Sequence, residues 1–173
     1  MENNSENYGA QMIFTGEFRH SIDSQRRVAI PSEWRSKGES VFYVLPWRHH
    51  ALQLMTLDSF KNLADKLKKF PSSDPKASIA LAQLGAKTRE CKCDKQGRIA
   101  LLETMLEHAE IKKNGKIDPE LYLVGAVNYV QIWSVNNWEE MTSMSNHEEM
   151  LDVLQRIEET PDSLSDILKT IKK

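Results

Sequence analysis

Asp23-Ser24-Gln25-Arg26-Arg27-Val28-Ala29-Ile30 has a counterpart later in the chain, Asp94-Lys95-Gln96-Gly97-Arg98-Ile99-Ala100-Leu101, displaced by 71 residues. A second block, Leu52-Gln53-Leu54-Met55-Thr56-Leu57-Asp58-Ser59-Phe60, matches Val130-Gln131-Ile132-Trp133-Ser134-Val135-Asn136-Asn137-Trp138 at a displacement of 78. Two matched blocks in the same order mean an internal repeat, and self-similarity of this kind constrains the fold before any local propensity does. The displacements differ by seven, which puts an insertion in the second copy near Lys112 to Asp118. The chain reads as a tandem duplication. Its halves lie near residues 11–70 and 86–144, with a linker helix over 71–85. A polar, disordered N-terminus covers 1–10, and a helical acidic tail covers 145–173.

Each half carries the same succession of elements. A lead strand, Met12 to Phe18 or Lys87 to Cys93, enters a tight Asp-x-x-x-Arg turn. A short apolar strand follows, Val28 to Ile30 or Ile99 to Leu101, rich in β-branched residues. A short helix comes next. In the first half Ser32 is its expected cap and Gly38 its expected end; in the second it runs from Glu103 to Ala109. Two strands close each half, Val41–Leu45 with Ala51–Met55, and Leu121–Val124 with Tyr129–Trp133. Thr56 and Ser134 are placed to cap closing helices. Phe60, Leu63, Leu67 and Phe70 recur at helical spacing in the first of these. Between the halves, Ser72-Ser73-Asp74-Pro75 is a break before a helix over 75–84, with proline in its first turn. In the tail, Met150, Leu151, Leu154 and Ile157 form one apolar stripe. Leu164, Ile167, Leu168 and Ile171 form another, and Thr160-Pro161 separates the two. The fold class is therefore mixed α+β and β-rich.

The turn is where chemistry concentrates. An aspartate at a turn start accepts hydrogen bonds from the backbone N–H groups ahead of it. An arginine four residues on can pair with that carboxylate and still present donors outward. Gly97 precedes the second arginine and is free to take positive φ; Arg26 holds the same place in the first half. Two readings remain open on these residues alone. One is a turn closed by an ion pair with no partner. The other is a hairpin tip offering Arg26, Arg27, Lys95 and Arg98 to phosphates and base edges, flanked by Arg19 and Lys92.

Charge is distributed in a way that permits the second reading. The net charge of the 173 residues is −2. Residues 1–60 hold 6 basic and 7 acidic groups, 61–116 hold 13 and 7, and 117–173 hold 4 and 11. A basic middle precedes an acidic end, so a basic face is available on a weakly acidic chain. No apolar run approaches the ~20 residues of a membrane span, and the N-terminus lacks the basic start and apolar stretch of a secretion signal. A cytoplasmic location follows as an expectation. The two cysteines, Cys91 and Cys93, sit roughly 6.6 Å apart along an extended strand, which is poor geometry for a disulfide between them.

Gly16-Glu17-Phe18, Asp23-x-x-x-Arg27, Ile30-Pro31-Ser32 and Arg35 resemble the first half of the MraZ family. Glu90-Cys91, Asp94-Lys95-Gln96-Gly97-Arg98, Leu123-Val124-Gly125, Ile132-Trp133 and Trp138 resemble its second half. The resemblance spans roughly residues 13–141. It implies two tandem AbrB-like halves of swapped-hairpin, double-psi type, with connecting helices and the helical tail outside the family core. It implies a sequence-specific transcriptional regulator, read as a repressor, of the division and cell-wall gene cluster. Such a protein binds direct repeats in promoter double-stranded DNA and is nucleoid-associated. It forms a homo-oligomeric ring of about eight subunits. The DNA-binding residues implied are Asp23, Arg27, Asp94 and Arg98, to which the reading of the turns adds Arg19, Arg26 and Lys95. No cofactor, metal, membrane or small-molecule substrate is implied. Three positions depart from the family pattern: Arg26 and Glu110 stand where glycine is common, and Leu102 where proline is common.

An enzyme is the first rival. His20, His49, His50, His108 and His147 are candidate bases, yet none lies at a diagnostic spacing from a partner. No phosphate-cradling glycine loop, His-Glu-x-x-His or nucleophile elbow occurs, and no second ligand pair accompanies Cys91-x-Cys93. The expectation is no enzyme. The second rival is an AbrB-like oligomeric scaffold or antitoxin-type interaction module, to which the tail stripes would lend themselves.

Overall fold

A computed structural model describes residues 12–36, 40–69 and 73–158. The N-terminus over 1–10, Gly38, Phe70, the Thr160-Pro161 break and the stripe from Leu164 to Ile171 lie outside the described residues. The chain divides into two compact units, residues 1–137 and 138–173.

The first unit is strand-rich. A six-stranded sheet contains β1 (Glu17–Ser21), β3 (Val41–Pro46), β4 (Leu52–Thr56), β5 (Arg89–Lys92), β9 (Glu120–Gly125) and β10 (Val130–Ser134), in the order β1-β9-β10-β4-β3-β5. Two short ribbons accompany it: β2 (Arg27–Ala29) with β6 (Arg98–Ala100), and β7 (Lys112–Lys113) with β8 (Lys116–Ile117). Helices α1 (Leu57–Leu67), α2 (Pro75–Lys87) and α3 (Glu103–His108) complete the unit, and α4 (Val135–Met144) leads out of it. Helix α5 (His147–Glu158) belongs to the second unit. Among the described residues no helix is long and apolar enough to cross a membrane.

The strand order is a palindrome of the repeat. The lead strand of each half lies beside the closing hairpin of the other, β1 on β9 and β5 on β3. Where the halves meet, residues matched by sequence face one another. Val28 pairs with Ile99 in the β2–β6 ladder, and Gln53 with Gln131 in the β4–β10 ladder. A local twofold axis relating the halves passes through both pairs. The seven additional residues of the second half include the β7–β8 hairpin, turned by Asn114 and Gly115 with φ of 52° and 75°.

Alternation places the core. Val28, Val44, Leu52, Leu54, Ile99, Leu121, Leu123, Val130 and Ile132 are fully buried and form one cluster with Phe14, Trp34, Met105 and Leu106. Phe14 and Phe18 meet Trp34 edge-on, at centroid distances of 5.8 and 5.0 Å, an arrangement the ring quadrupoles favour. Cys91 is buried and Cys93 half-buried, both as free thiols. Burial pushes the Cys91 thiol up to about 11 and raises that of Cys93.

Two local expectations need correction. The first lead strand begins at Glu17, not Met12. Gly16 takes φ 96°, which interrupts the strand, while Phe14 still bridges to Val127 in the same register. Ser32 caps nothing with its side chain; Ser32–Trp34 is a single 3-10 turn opened by Pro31, whose carbonyl accepts from the Trp34 amide. Its counterpart α3 likewise starts without a side-chain cap. The hydroxyls of Thr56 and Ser134 do accept from amides of the following helices, at 3.2 and 3.4 Å.

Glu110, at φ 56°, ends α3 in a Schellman arrangement. The Ile111 amide reaches the Leu106 carbonyl and the Glu110 amide the Glu107 carbonyl. That left-handed position is one glycine occupies most readily.

Candidate nucleic-acid interface

The two Asp-x-x-x-Arg turns are built alike. Asp23 Oδ1 accepts from the amides of Gln25 and Arg27 at 2.9 and 2.8 Å, and Oδ2 accepts from Arg27 Nε at 2.8 Å. Asp94 Oδ1 accepts from Gln96 and Arg98 at 2.9 and 3.0 Å, and Oδ2 from Arg98 Nε at 2.9 Å. Each aspartate also offers its backbone carbonyl to the residue three places on, Arg26 or Gly97. Those residues both sit in the left-handed region, at φ 61° and 75°. The short side chain fixes the turn and the turn fixes the arginine.

The β2–β6 ladder then brings the turns together. The Gly97 carbonyl accepts from Ile30 and the Arg26 carbonyl from Leu101, extending the ladder symmetrically beyond its three pairs. Arg98 Nη1 comes within 3.5 Å of Asp23 Oδ2, and Arg27 Nη1 within 3.8 Å of Asp94 Oδ2. The result is a tetrad of two guanidinium groups and two carboxylates, each side chain about a quarter to a third exposed. Donated amide hydrogen bonds hold both carboxyls below the ordinary aspartate value. For Asp94 the Arg98 amide and then its guanidinium bring it to about 2; for Asp23 the Arg27 amide contributes most.

Of the residues singled out from the sequence, Asp23, Arg26, Arg27, Asp94 and Arg98 converge here, and Lys95 lies exposed on the second turn beside Gln96. Lys92 ends β5 as an exposed residue just before that turn. Arg26 is also 3.9 Å from Glu103. Arg19 does not join the tetrad's ion pairs. It lies on β1, bound to Glu120 at 2.6 Å and set over the Tyr122 ring at 5.9 Å.

Sequence reasoning gave no role to Arg35. Its guanidinium packs directly on Gly97, where a Cβ would collide with it, and its Nε is buried without a hydrogen-bond partner. The bare glycine at position 97 was the available signal: its lost side-chain volume is filled from the other half of the repeat. Arg26, at the matching place, leaves no such space.

Chemically, the tetrad consists of two guanidinium groups and two carboxylates held below the ordinary aspartate value. The arrangement offers oriented cations and exposed amide-bearing side chains on a rigid double turn. That equipment suits a phosphate backbone and the edges of bases, which are contacted mainly by arginine, lysine and glutamine.

Comparison with known proteins agrees in kind. A family model described as "MraZ protein, putative antitoxin-like" matches residues 84–157. A protein named transcriptional regulator MraZ from Oenococcus oeni is 34% identical over 133 residues, covering 76% of this chain and 87% of its own. The protein of that name from Caldicellulosiruptor bescii is 32% identical over 148 residues, 85% of this chain and 98% of its own. That from Pediococcus pentosaceus is 32% identical over 159 residues, covering 92% and 96%.

Proposed function

The chain belongs to the MraZ family, whose curated members bear the name of transcriptional regulators, and from that premise we propose that it is a DNA-binding regulator, not an enzyme, that grips duplex DNA through its paired turns. The carrying observation is the tetrad: two turns from opposite halves of the repeat, locked side by side around a twofold axis. In this reading the halves over 11–70 and 86–144 are AbrB-like and of swapped-hairpin type, each lending its lead strand to the other.

The residues divide their labour. Arg27 and Arg98 are held by carboxylates, so they read position and base edges with their remaining N–H donors. Arg26, which lies 3.9 Å from Glu103, and Lys95 turn positive charge toward phosphates. Asp23 and Asp94 orient the arginines, and Arg19 with Lys92 flanks the surface. The target is a set of direct repeats upstream of the division and cell-wall gene cluster, where the protein acts as a repressor in the cytoplasm at the nucleoid. The turns of one subunit present few cations outside the tetrad, so affinity comes from several subunits in a ring of about eight engaging successive repeats together.

Retardation of a fragment from upstream of that gene cluster tests this reading. The Arg27→Ala/Arg98→Ala double variant is expected to bind at least tenfold more weakly while its mass on sizing stays unchanged. Equal retardation by the double variant and the parent chain would falsify the assignment of the turns.

A further inference from the structure

At the end of β5 remote from the Asp94 turn, the strand pairing brings Arg89 opposite Val44, next to Pro46. There the end of β3, the last turn of α2, the start of β5 and one face of α3 enclose a cleft of about 480 Å³. Its walls are apolar at Pro46, Leu102 and Met105 and basic at Lys87 and Arg89, and no carboxylate lines it. Leu102 at its wall is 39% exposed, and Trp47, the residue after Pro46, is 36% exposed. Trp47 is fixed there because its carbonyl binds His108 Nε2 at 2.8 Å. Lys87 and Arg89 are exposed and form no ion pair among the described residues. The turns that carry the proposed DNA contacts do not use this cleft.

Helix α5 in the second unit has the opposite character. Met150, Leu151, Val153 and Leu154 are each close to half exposed, although residues of this kind ordinarily seek cover. Their spacing puts Met150, Leu151 and Leu154 on one side, with Glu148, Glu149 and Asp152 around the rest of the helix. Residues 117–173 carry 11 acidic against 4 basic groups.

We propose that α5 of a second copy of this chain docks its apolar face in this cleft, with its acidic residues meeting Lys87 and Arg89. The fit is in both chemistry and charge. An amphipathic helix presenting residues at i, i+1 and i+4 enters a groove of small volume with two or three side chains. Its carboxylates at the groove margin find the cations that lack partners. A contact between a tail on one copy and a cleft on the next is head-to-tail, the kind that closes into a ring when the rotation permits. The inference extends the oligomeric reading above and is independent of whether the turns bind DNA.

The test uses full-length chains without DNA. A photo-reactive residue replaces Leu102, and equal amounts of 15N-labelled and unlabelled chains are mixed under conditions that allow subunit exchange. Cross-linked peptides should join position 102 to residues 147–158 with mixed isotope labels. Cross-links confined to one isotope would place the helix on its own chain and overturn the proposal, as would none to 147–158. Independently, Leu151→Asp/Leu154→Asp should lower the mass on sizing to that of a smaller species. Arg89→Glu should weaken the assembly, and adding Glu149→Arg should restore it. If reversal of both charges restores nothing, the pairing is wrong. Loss of cross-links with DNA retardation intact overturns only this contact; the reverse overturns only the turns.

Discussion

Arg26 holds a backbone conformation that disfavours every side chain except glycine's and, to a lesser degree, asparagine's. At φ 61° it is strained by roughly 1 kcal/mol, and its Nε is buried without a hydrogen-bond partner. The matching residue is Gly97, at φ 75°. Arg26→Gly is therefore expected to raise stability by about 1 kcal/mol in denaturant unfolding. It should also weaken DNA binding by removing a cation from the tip. A variant that is less stable and binds equally well would contradict both halves of this account. Asp94 supplies a second residue-level test. Its folded value of about 2 lies below the ordinary 3.8, so the stability it contributes is present above about pH 4. It is lost as the pH falls toward 2. Asp94→Asn should be less stable than the parent chain at pH 7, and the gap should narrow between pH 4 and 2. A gap unchanged down to pH 2 would mean that the carboxylate is not tied to folding.

The β2–β6 ribbon is only three residues long on each side, yet it joins the halves and aligns the turns. Ile99, fully buried opposite Val28, is its centre. Ile99→Ala should lower stability by about 2–4 kcal/mol and weaken DNA binding beyond what the fraction unfolded explains, because the tetrad geometry depends on the ladder. Calorimetry beside retardation separates the two effects. Elements of this kind were partly legible in the sequence. Period-two alternation and the repeat located most strands, and the Asp-x-x-x-Arg spacing located both turns, because these are local patterns. Which strand lies beside which was not legible. β1 on β9 and β5 on β3 are pairings between distant segments, and an alternating strand fits any partner of suitable polarity. The cross-pairs from Arg98 to Asp23 and from Arg27 to Asp94 are a consequence of that pairing. So is the seat of Arg35 on Gly97. The early start assigned to the first lead strand failed for a local reason, since Gly16 uses a positive φ that an apolar count does not register.

At the scale of the whole molecule, the chain's charge of −2 opposes a polyanion at long range. The tetrad does not reverse this, because its two guanidinium groups and two carboxylates cancel. In the proposed reading, what draws DNA is the positive charge at the turn tips, Arg26 and Lys95 per subunit, multiplied by the number of subunits engaged. Each phosphate neutralised contributes about 0.9 to the slope of log affinity against log salt. Arg26→Gly/Lys95→Ala should therefore reduce that slope by about 2 for every subunit on the DNA. Arg27→Ala leaves a carboxylate facing the duplex, so it should lower affinity at all salt concentrations and raise discrimination against DNA at low salt most of all. Variants of α5 that break the assembly should instead reduce the total slope in proportion to the number of subunits lost from the DNA, since they leave each tip intact. A slope that is shallow in the parent chain and indifferent to Arg26 and Lys95 would mean that apolar docking, not counterion release, governs what this protein binds.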